Sequence, residues 1–164
     1  ESIKSRVKEP TSIIEKMHRR GYELSVENIE DKLNDVAGIR VICSFVEDIY
    51  YLSSMLSAQD DLTVLQVKDY IKNPKENGYR SLHLIIQTPI SLSDQKKNMR
   101  VEVQFRTIAM DFWASVDHKL KYKKNVKNPE MIVGELRKCA DIISSVDQRM
   151  QEIRTMIEEG EIDD

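Results

Sequence analysis

In the stretch "RVEVQFRT", Arg100 to Thr107, an acid, an amide and a guanidinium recur on alternate residues. A strand sends successive side chains to opposite faces, so Glu102, Gln104 and Arg106 share one face while Val101, Val103 and Phe105 form the other. Asp35, at the mouth of the apolar run in "NDVAGIR", is a second carboxylate at a strand edge. Two carboxylates from different strands can hold Mg²⁺, which takes oxygen ligands and binds through one or two acids plus substrate phosphates. The plainer alternatives are a solvated strand face, and a turn or capping role for either acid taken singly.

Two cationic stretches could face such a site. In "SRVKEPTSIIEK", Arg6 and Lys8 precede a helix that the spacing of Ser12 and Glu15 marks with a capping box and that Gly21 stops. Its first free N–H groups, expected near Thr11 to Ile14, carry a partial positive charge and suit a phosphate. Lys16 falls one turn after Ser12, and Arg19 three residues further on, so Arg6, Lys8, Ser12, Lys16 and Arg19 can line one anion-binding surface. A solvated basic face is the alternative. In "KDYIKNPKENGYRSLHLII", Lys72, Lys75 and Arg80 surround an Asn77-Gly78-Tyr79 turn directly before a strand. There Tyr79 can lay its ring on a base, and Lys68, Lys75 and His83 can meet phosphate oxygens. A tyrosine tucked into the sheet is the alternative.

The elements that must position these groups follow from apolar periodicity. Short helices are expected over 10–21 and 26–33, an amphipathic one over 46–58, another over 108–122, and a long one from Asn128-Pro129 to about residue 159. Strands are expected over 36–45, 62–70, 81–88 and 99–107. Irregular alternation of helices and strands predicts an α+β fold, a mixed sheet with helices against it. With no repeat or linker, residues 1–164 read as a single domain.

The 164 residues are 40% apolar and 32% charged, with a net charge of −3, which excludes wholesale disorder and gives no strong nucleic-acid signal. The cations crowd the first twenty residues and the acids the last seven, a distribution that suits a small polyanion. No run reaches the roughly 20 apolar residues of a membrane span, and no signal peptide is visible. Cys43 and Cys139 form no CxxC and sit in apolar contexts, so both are expected to be reduced core thiols in a cytoplasmic protein.

The motifs "SRVKEPTSIIEK", "DVAGIRVIC", "KDYIKNPKENGYRSLH", "VEVQFRT" and "MDFWASVDHKLKYK" together resemble the RelA/SpoT-type synthetase domain from Ser5 to about Lys123. The closest likeness is to the single-domain small alarmone synthetases, and among them to the RelP type. The resemblance implies a nucleotidyltransferase-like fold with about five strands in a mixed sheet. It implies transfer of a pyrophosphoryl group from ATP to the ribose 3′-hydroxyl of GDP or GTP, giving (p)ppGpp and AMP with Mg²⁺. By motif position, Arg6 and Arg40 would stack on the adenine, and Lys8, Ser12, Lys16 and Arg19 would bind ATP phosphates. Asp35 would ligate Mg²⁺, and Glu102 would be the catalytic acid and a second metal contact, with Gln104 beside it on the acceptor side. Tyr79 would stack on guanine, with Lys68, Lys75, Asn77 and His83 completing the guanosine-nucleotide loop.

Departures from the family pattern are Asp117-His118, where relatives have Glu-His, and Asp111, where some carry Asn near the guanine. The helices that usually precede "SRVK" are not among these residues. The chain lacks the His-Asp pair of the family's hydrolase domain, so synthesis without hydrolysis is expected. A related nucleotidyltransferase with another acceptor, or a non-enzymatic sensor of alarmone or RNA, are the alternatives. Finally, Leu136, Cys139, Ile143, Val146, Met150, Ile153 and Ile157 form a heptad stripe. With the family's habit of forming tetramers, that stripe predicts a homo-oligomer built partly through the last helix.

Overall fold

The structure, a computed structural model, describes residues 2–121 and 128–160. Its elements run β1 (Ser2–Val7), α1 (Pro10–Arg19), α2 (Val26–Lys32), β2 (Ala37–Cys43), α3 (Val46–Ser57), β3 (Thr63–Asp69), β4 (Leu82–Ser91), β5 (Lys96–Thr107), α4 (Ile108–Lys121) and α5 (Pro129–Gly160). The five strands form one sheet in the order β1-β2-β5-β4-β3. Only β2 and β5 run parallel; the other three pairings are antiparallel. The expected mixed sheet with flanking helices is what the chain forms.

Alternation decides the two faces. Cys43 of β2, Leu82, Leu84 and Ile86 of β4, and Val103 and Phe105 of β5 are buried on one face. Ile49 of α3 and Met110 of α4 complete that cluster, with Ile39, Val41, Val46, Tyr50 and Leu56 packed against it. The residues between them, Arg40, His83, Glu102, Gln104 and Arg106, therefore point to the opposite face. Apolar burial thus fixes the direction of every polar group on the central strands.

Four expectations need correction. The first strand, β1, was not foreseen: all six of its residues are exposed, so an edge strand with no buried face leaves no alternation to read. Helix α1 starts at Pro10, where the expected span begins, but without the expected Ser12–Glu15 capping box. Its N-cap is Glu9, which makes no side-chain cap bond, because Pro10 supplies a preset first-turn φ. Ile13 N–H then donates to Glu9 O at 3.1 Å, which leaves Thr11 and Ser12 as the free donors. The two cysteines differ: Cys43 is buried, but Cys139 is exposed.

The heptad stripe also divides. Leu136, Ala140 and Asp147 of α5 are buried, and Ile143 packs with Trp113 and Leu136, whereas Val146, Met150, Ile153 and Ile157 are exposed. A strict seven-residue repeat drifts by roughly 20° per heptad on a straight helix. Leu136 and Ile143 therefore face the domain, while Cys139 and the later members of the stripe face away. No helix among the described residues is long and apolar enough to cross a membrane.

Candidate active site

Strand register assembles the site. Lys4 stands opposite Arg40, Arg40 opposite Gln104, Gln104 opposite His83 and His83 opposite Lys68. These residues form a polar row across all five strands. The next row runs Arg6, Gly38, Glu102, Ile85 and Gln66. Arg6 and Arg40 are thus diagonal neighbours on one face. Gly38 leaves the space between them open, since a Cβ there would meet only backbone oxygens at 3.7 and 3.8 Å. A cleft of about 350 Å³ opens over these rows, lined by Lys4, Ser5, Arg6, Lys8, Asp35, Gly38, Ile39, Arg40, Glu102 and Gln104.

Asp35 lies in the turn between α2 and β2, brought beside the N-terminal segment by Lys8 N–H donating to Val36 O at 2.8 Å. Lys8 and Lys16 both donate to its Oδ2, at 2.7 and 2.6 Å. Its Oδ1 is buried without a hydrogen-bond partner. Burial alone would raise the carboxyl pKa, but the Lys16 and Lys8 bonds outweigh it and leave the group below its ordinary value. Ser12 and Arg19 share the stripe of α1 that carries Lys16. They stand outside the cleft lining, and Arg19 is exposed.

Glu102 is similarly set. Gln104 Nε2 donates to Oε1 at 2.6 Å, and His83 Nδ1 stands 3.7 Å from Oε2. Burial raises its pKa and the Asp35 charge adds to that, yet His83 and Gln104 together hold it below the usual carboxylate value. Both acids are therefore ionised at neutral pH. No group of three or more His, Cys, Asp and Glu able to hold a metal occurs among the described residues. Two carboxylates on one cleft, one with an unpartnered buried oxygen, still fit a cation that takes its other ligands from phosphates and water.

The loop over 70–81 is ordered by its own bonds. Gly78 N–H donates to Lys75 O at 2.8 Å, Lys75 N–H to Tyr79 O at 3.1 Å, and Tyr79 N–H to Asn77 Oδ1 at 3.3 Å. Gly78 adopts φ +87°, the left-handed region that suits glycine. Lys75 Nζ lies 4.7 Å from the Tyr70 ring centre and 4.9 Å from that of Tyr79. Tyr79 is not a bare tip. Its hydroxyl lies 2.9 Å from His83 Nε2 and accepts from Arg106 at 2.8 Å. Lys68 and His83 flank it through the polar row. Arg80 turns away from this cluster and donates to Ser144 of α5; Lys72 is exposed, 3.9 Å from Asp69.

The structure thus gathers Arg6, Lys8, Asp35, Arg40, Glu102 and Gln104 into one cleft, with Lys16 reaching Asp35, and groups Lys75, Asn77, Tyr79 and His83 at its end. Sequence reasoning undervalued Arg106. This residue, 6% exposed, bonds Asp111, Tyr79 and Gln104 at once. Its place on the Glu102 face was legible; its three partners, spread over α4, a loop and β5, were not. The bracing by α5 was missed as well: Arg137 donates to Lys75 O at 3.4 Å, and Trp113 of α4 to Leu136 O at 3.0 Å.

Residues 5–127 match the model of a region found in RelA/SpoT proteins. The chain belongs to the RelA/SpoT family. It is 44% identical over 158 residues to the GTP pyrophosphokinase YwaC of Bacillus subtilis, covering 96% of this chain and 75% of that protein. It is 40% identical over 161 residues to the GTP pyrophosphokinase YjbM of the same organism, covering 98% and 75%. Its fold superposes on Bacillus subtilis small alarmone synthetase 1 bound to its product pppGpp, with a TM-score of 0.87 and 39% identity over 96% of this chain and 80% of that one. Small alarmone synthetase 2 from that organism gives 0.86 and 44%, over 95% and 81%. The RelA/SpoT match begins within β1 and runs through α4, and so takes in every residue of the cleft lining except Lys4.

Proposed function

We propose that this RelA/SpoT-family protein is a (p)ppGpp synthetase, a GTP pyrophosphokinase that transfers pyrophosphate from ATP to the 3′-hydroxyl of GDP or GTP. The observation that carries the reading is the shared cleft of Asp35 and Glu102, rimmed by Lys8, Arg6 and Arg40. The pppGpp-bound relative of the same fold supports the product class.

Phosphoryl transfer needs positioning and charge neutralisation rather than covalent help from the protein. Arg6 and Arg40, diagonal on adjacent strands, hold the adenine between flat guanidinium planes, which a lysine cannot imitate. Lys8 and Lys16 meet the triphosphate, and Ser12 and Arg19 extend that surface along α1. Mg²⁺, held by Asp35 and Glu102, would offset phosphate charge there. Tyr79 packs on the guanine, while Lys68, Lys75, Asn77, His83 and Gln104 fix the acceptor's ribose and phosphates. Glu102 takes the 3′-hydroxyl proton as the oxygen bonds to the β-phosphorus. The bond from that phosphorus to the α-phosphate oxygen breaks, and AMP leaves. The sequence has no His-Asp pair, so these residues are assigned synthesis without hydrolysis.

A cytoplasmic homo-oligomer, a tetramer by the family's habit, assembling partly through the outer face of α5, belongs to the same reading. Incubation with ATP, Mg²⁺ and either GDP, GTP or ADP, followed by product separation, tests it. Pyrophosphorylated guanosine and AMP are expected. Product from ADP alone would move the reading to another nucleotidyltransferase, and no product at all to a non-catalytic sensor.

A further inference from the structure

Two arginines on the sheet face share a single carboxylate oxygen. Arg40 of β2 stands opposite Gln104, and Arg106 of β5 opposite Ile42, so the two guanidinium groups are diagonal neighbours on adjacent strands. Arg106 Nη1 donates to Asp111 Oδ1 at 2.9 Å, and Arg40 Nη1 lies 3.5 Å from the same atom. Asp111 sits in the first turn of α4, where the helix end favours an acid. The Nε of each arginine is buried and without a hydrogen-bond partner, so neither guanidinium is saturated by its protein contacts.

The two arginines serve different ends of the site. Arg40 lines the cleft with Asp35 and Glu102. Arg106 donates to the Tyr79 hydroxyl, which in turn meets His83, the neighbour of Glu102. A continuous polar path therefore runs Arg40, Asp111, Arg106, Tyr79 and His83. Two like charges this close repel each other, and one carboxylate between them is what allows both to be held. Immobilising either guanidinium orders the carboxylate and so lowers the entropic cost of ordering the other.

We propose that Asp111 is a positioning residue that couples the donor and acceptor half-sites, so that binding of one nucleotide pre-orders the other's contacts. This rests on the functional reading above, in which Arg40 serves ATP and Tyr79 serves the guanosine nucleotide. Asp111 touches neither reacting atom; it acts through the two arginines. The coupling is reciprocal, because linkage between two ligands must be.

Calorimetry on the full chain tests it, measuring the GDP dissociation constant alone and with saturating α,β-methylene-ATP and Mg²⁺. In the unaltered protein the analogue should tighten GDP by about fivefold or more, a typical allosteric coupling. In Asp111→Asn, which keeps size but loses charge, the same ratio should fall to within about twofold of unity; Asp111→Glu should recover part of it. A matching thermal midpoint for Asp111→Asn shows that the fold is intact. Retention of the full ratio in Asp111→Asn, or its absence in the unaltered protein, overturns the proposal. A merely structural role would weaken both ligands and leave the ratio intact, which also overturns it. Failure of the unaltered protein to bind GDP would overturn the functional reading as well, and the product assay tells the two failures apart.

Discussion

Gly78, in the loop over 70–81, lies so close to Ala140 of α5 that a Cβ added to the glycine would come within 3.0 Å of the alanine Cβ. The glycine also holds φ +87°. Loop and helix are thus fitted at a point where no other residue passes. Gly78→Ala should cost about 2–5 kcal/mol, from overpacking and a left-handed L-residue together. The acceptor KM should rise while the ATP KM holds, because the clash lies under Tyr79 and far from Asp35. An equal rise in both would place the damage in the whole fold. Ala140→Gly in the same chain should relieve the steric share only.

Tyr79 does two separable things. Its ring is the one proposed to stack on the guanine, and its hydroxyl joins Arg106 to His83. Tyr79→Ala should raise the acceptor KM by roughly 5- to 100-fold, the loss of a stack of about 1–3 kcal/mol. Tyr79→Phe should keep most of that stack, so its acceptor KM should lie well below that of the Ala variant. Identical values for the two would mean that the hydroxyl network, not the ring, carries acceptor recognition.

Acids in this protein pull stability in opposite directions with pH. The folded state depresses the Asp35 and Glu102 pKa values, so their contribution is present above the ordinary carboxylate pKa and is lost as pH falls through the folded values. Asp147 behaves oppositely: burial raises it, against the opposing Thr107 bond and Arg80 charge. An acid raised on folding carries a cost that grows as pH rises above its unfolded pKa and is complete above its folded one. Asp147→Asn can still accept the Thr107 hydroxyl bond of 2.7 Å. It should therefore melt higher than the unaltered protein at pH 7.5, with the gap closing below about pH 4. A lower melting point at pH 7.5 would show that the Arg80 charge outweighs burial.

The exposed half of the α5 stripe is the face proposed above for self-association. Ile153 and Ile157 are 39% and 59% exposed, so charges placed there leave the chain's own core untouched. Ile153→Asp with Ile157→Asp should sediment as a smaller species at unchanged thermal stability of the domain. An unaltered sedimentation coefficient would remove this face from any interface.

What was legible in the sequence was whatever apolar periodicity or a chemical motif marks locally. The Val101, Val103, Phe105 alternation fixed the direction of Glu102 and Gln104 before any coordinates, and the strands and helices from β2 to α4 follow the same signal. β1 escaped because an edge strand exposed on both faces has no alternation, although Arg6 on it and Lys8 just after it stand out for their charge. The Lys8 and Lys16 bonds to Asp35 join residues 27 and 19 positions apart, a convergence that depends on the β1–β2 pairing and the Lys8 N–H bond to Val36 O beyond it. Arg106 and Asp111 were visible as charges, but their pairing depends on how α4 leaves β5. Arg80 was legible only as one of the cations around the Asn77-Gly78-Tyr79 turn; that its side chain is taken up by Ser144 of α5 was not.

The central claim is that Glu102 accepts the proton in a pyrophosphoryl transfer, and Glu102→Gln tests it most directly. The substitution keeps shape and an acceptor for the Gln104 bond, while removing the basic carboxylate and one charge from the proposed metal site. General-base catalysis is worth roughly 10²- to 10⁴-fold, and weaker metal binding adds to the loss. The measurement is kcat for alarmone synthesis at saturating ATP, GDP and Mg²⁺, with nucleotide binding followed in parallel. The account predicts a folded variant that binds ATP and GDP within about tenfold of the unaltered protein and loses at least about 100-fold in kcat. A variant that keeps more than about a tenth of the original kcat contradicts it, and the proton would then have to leave by another group or by water.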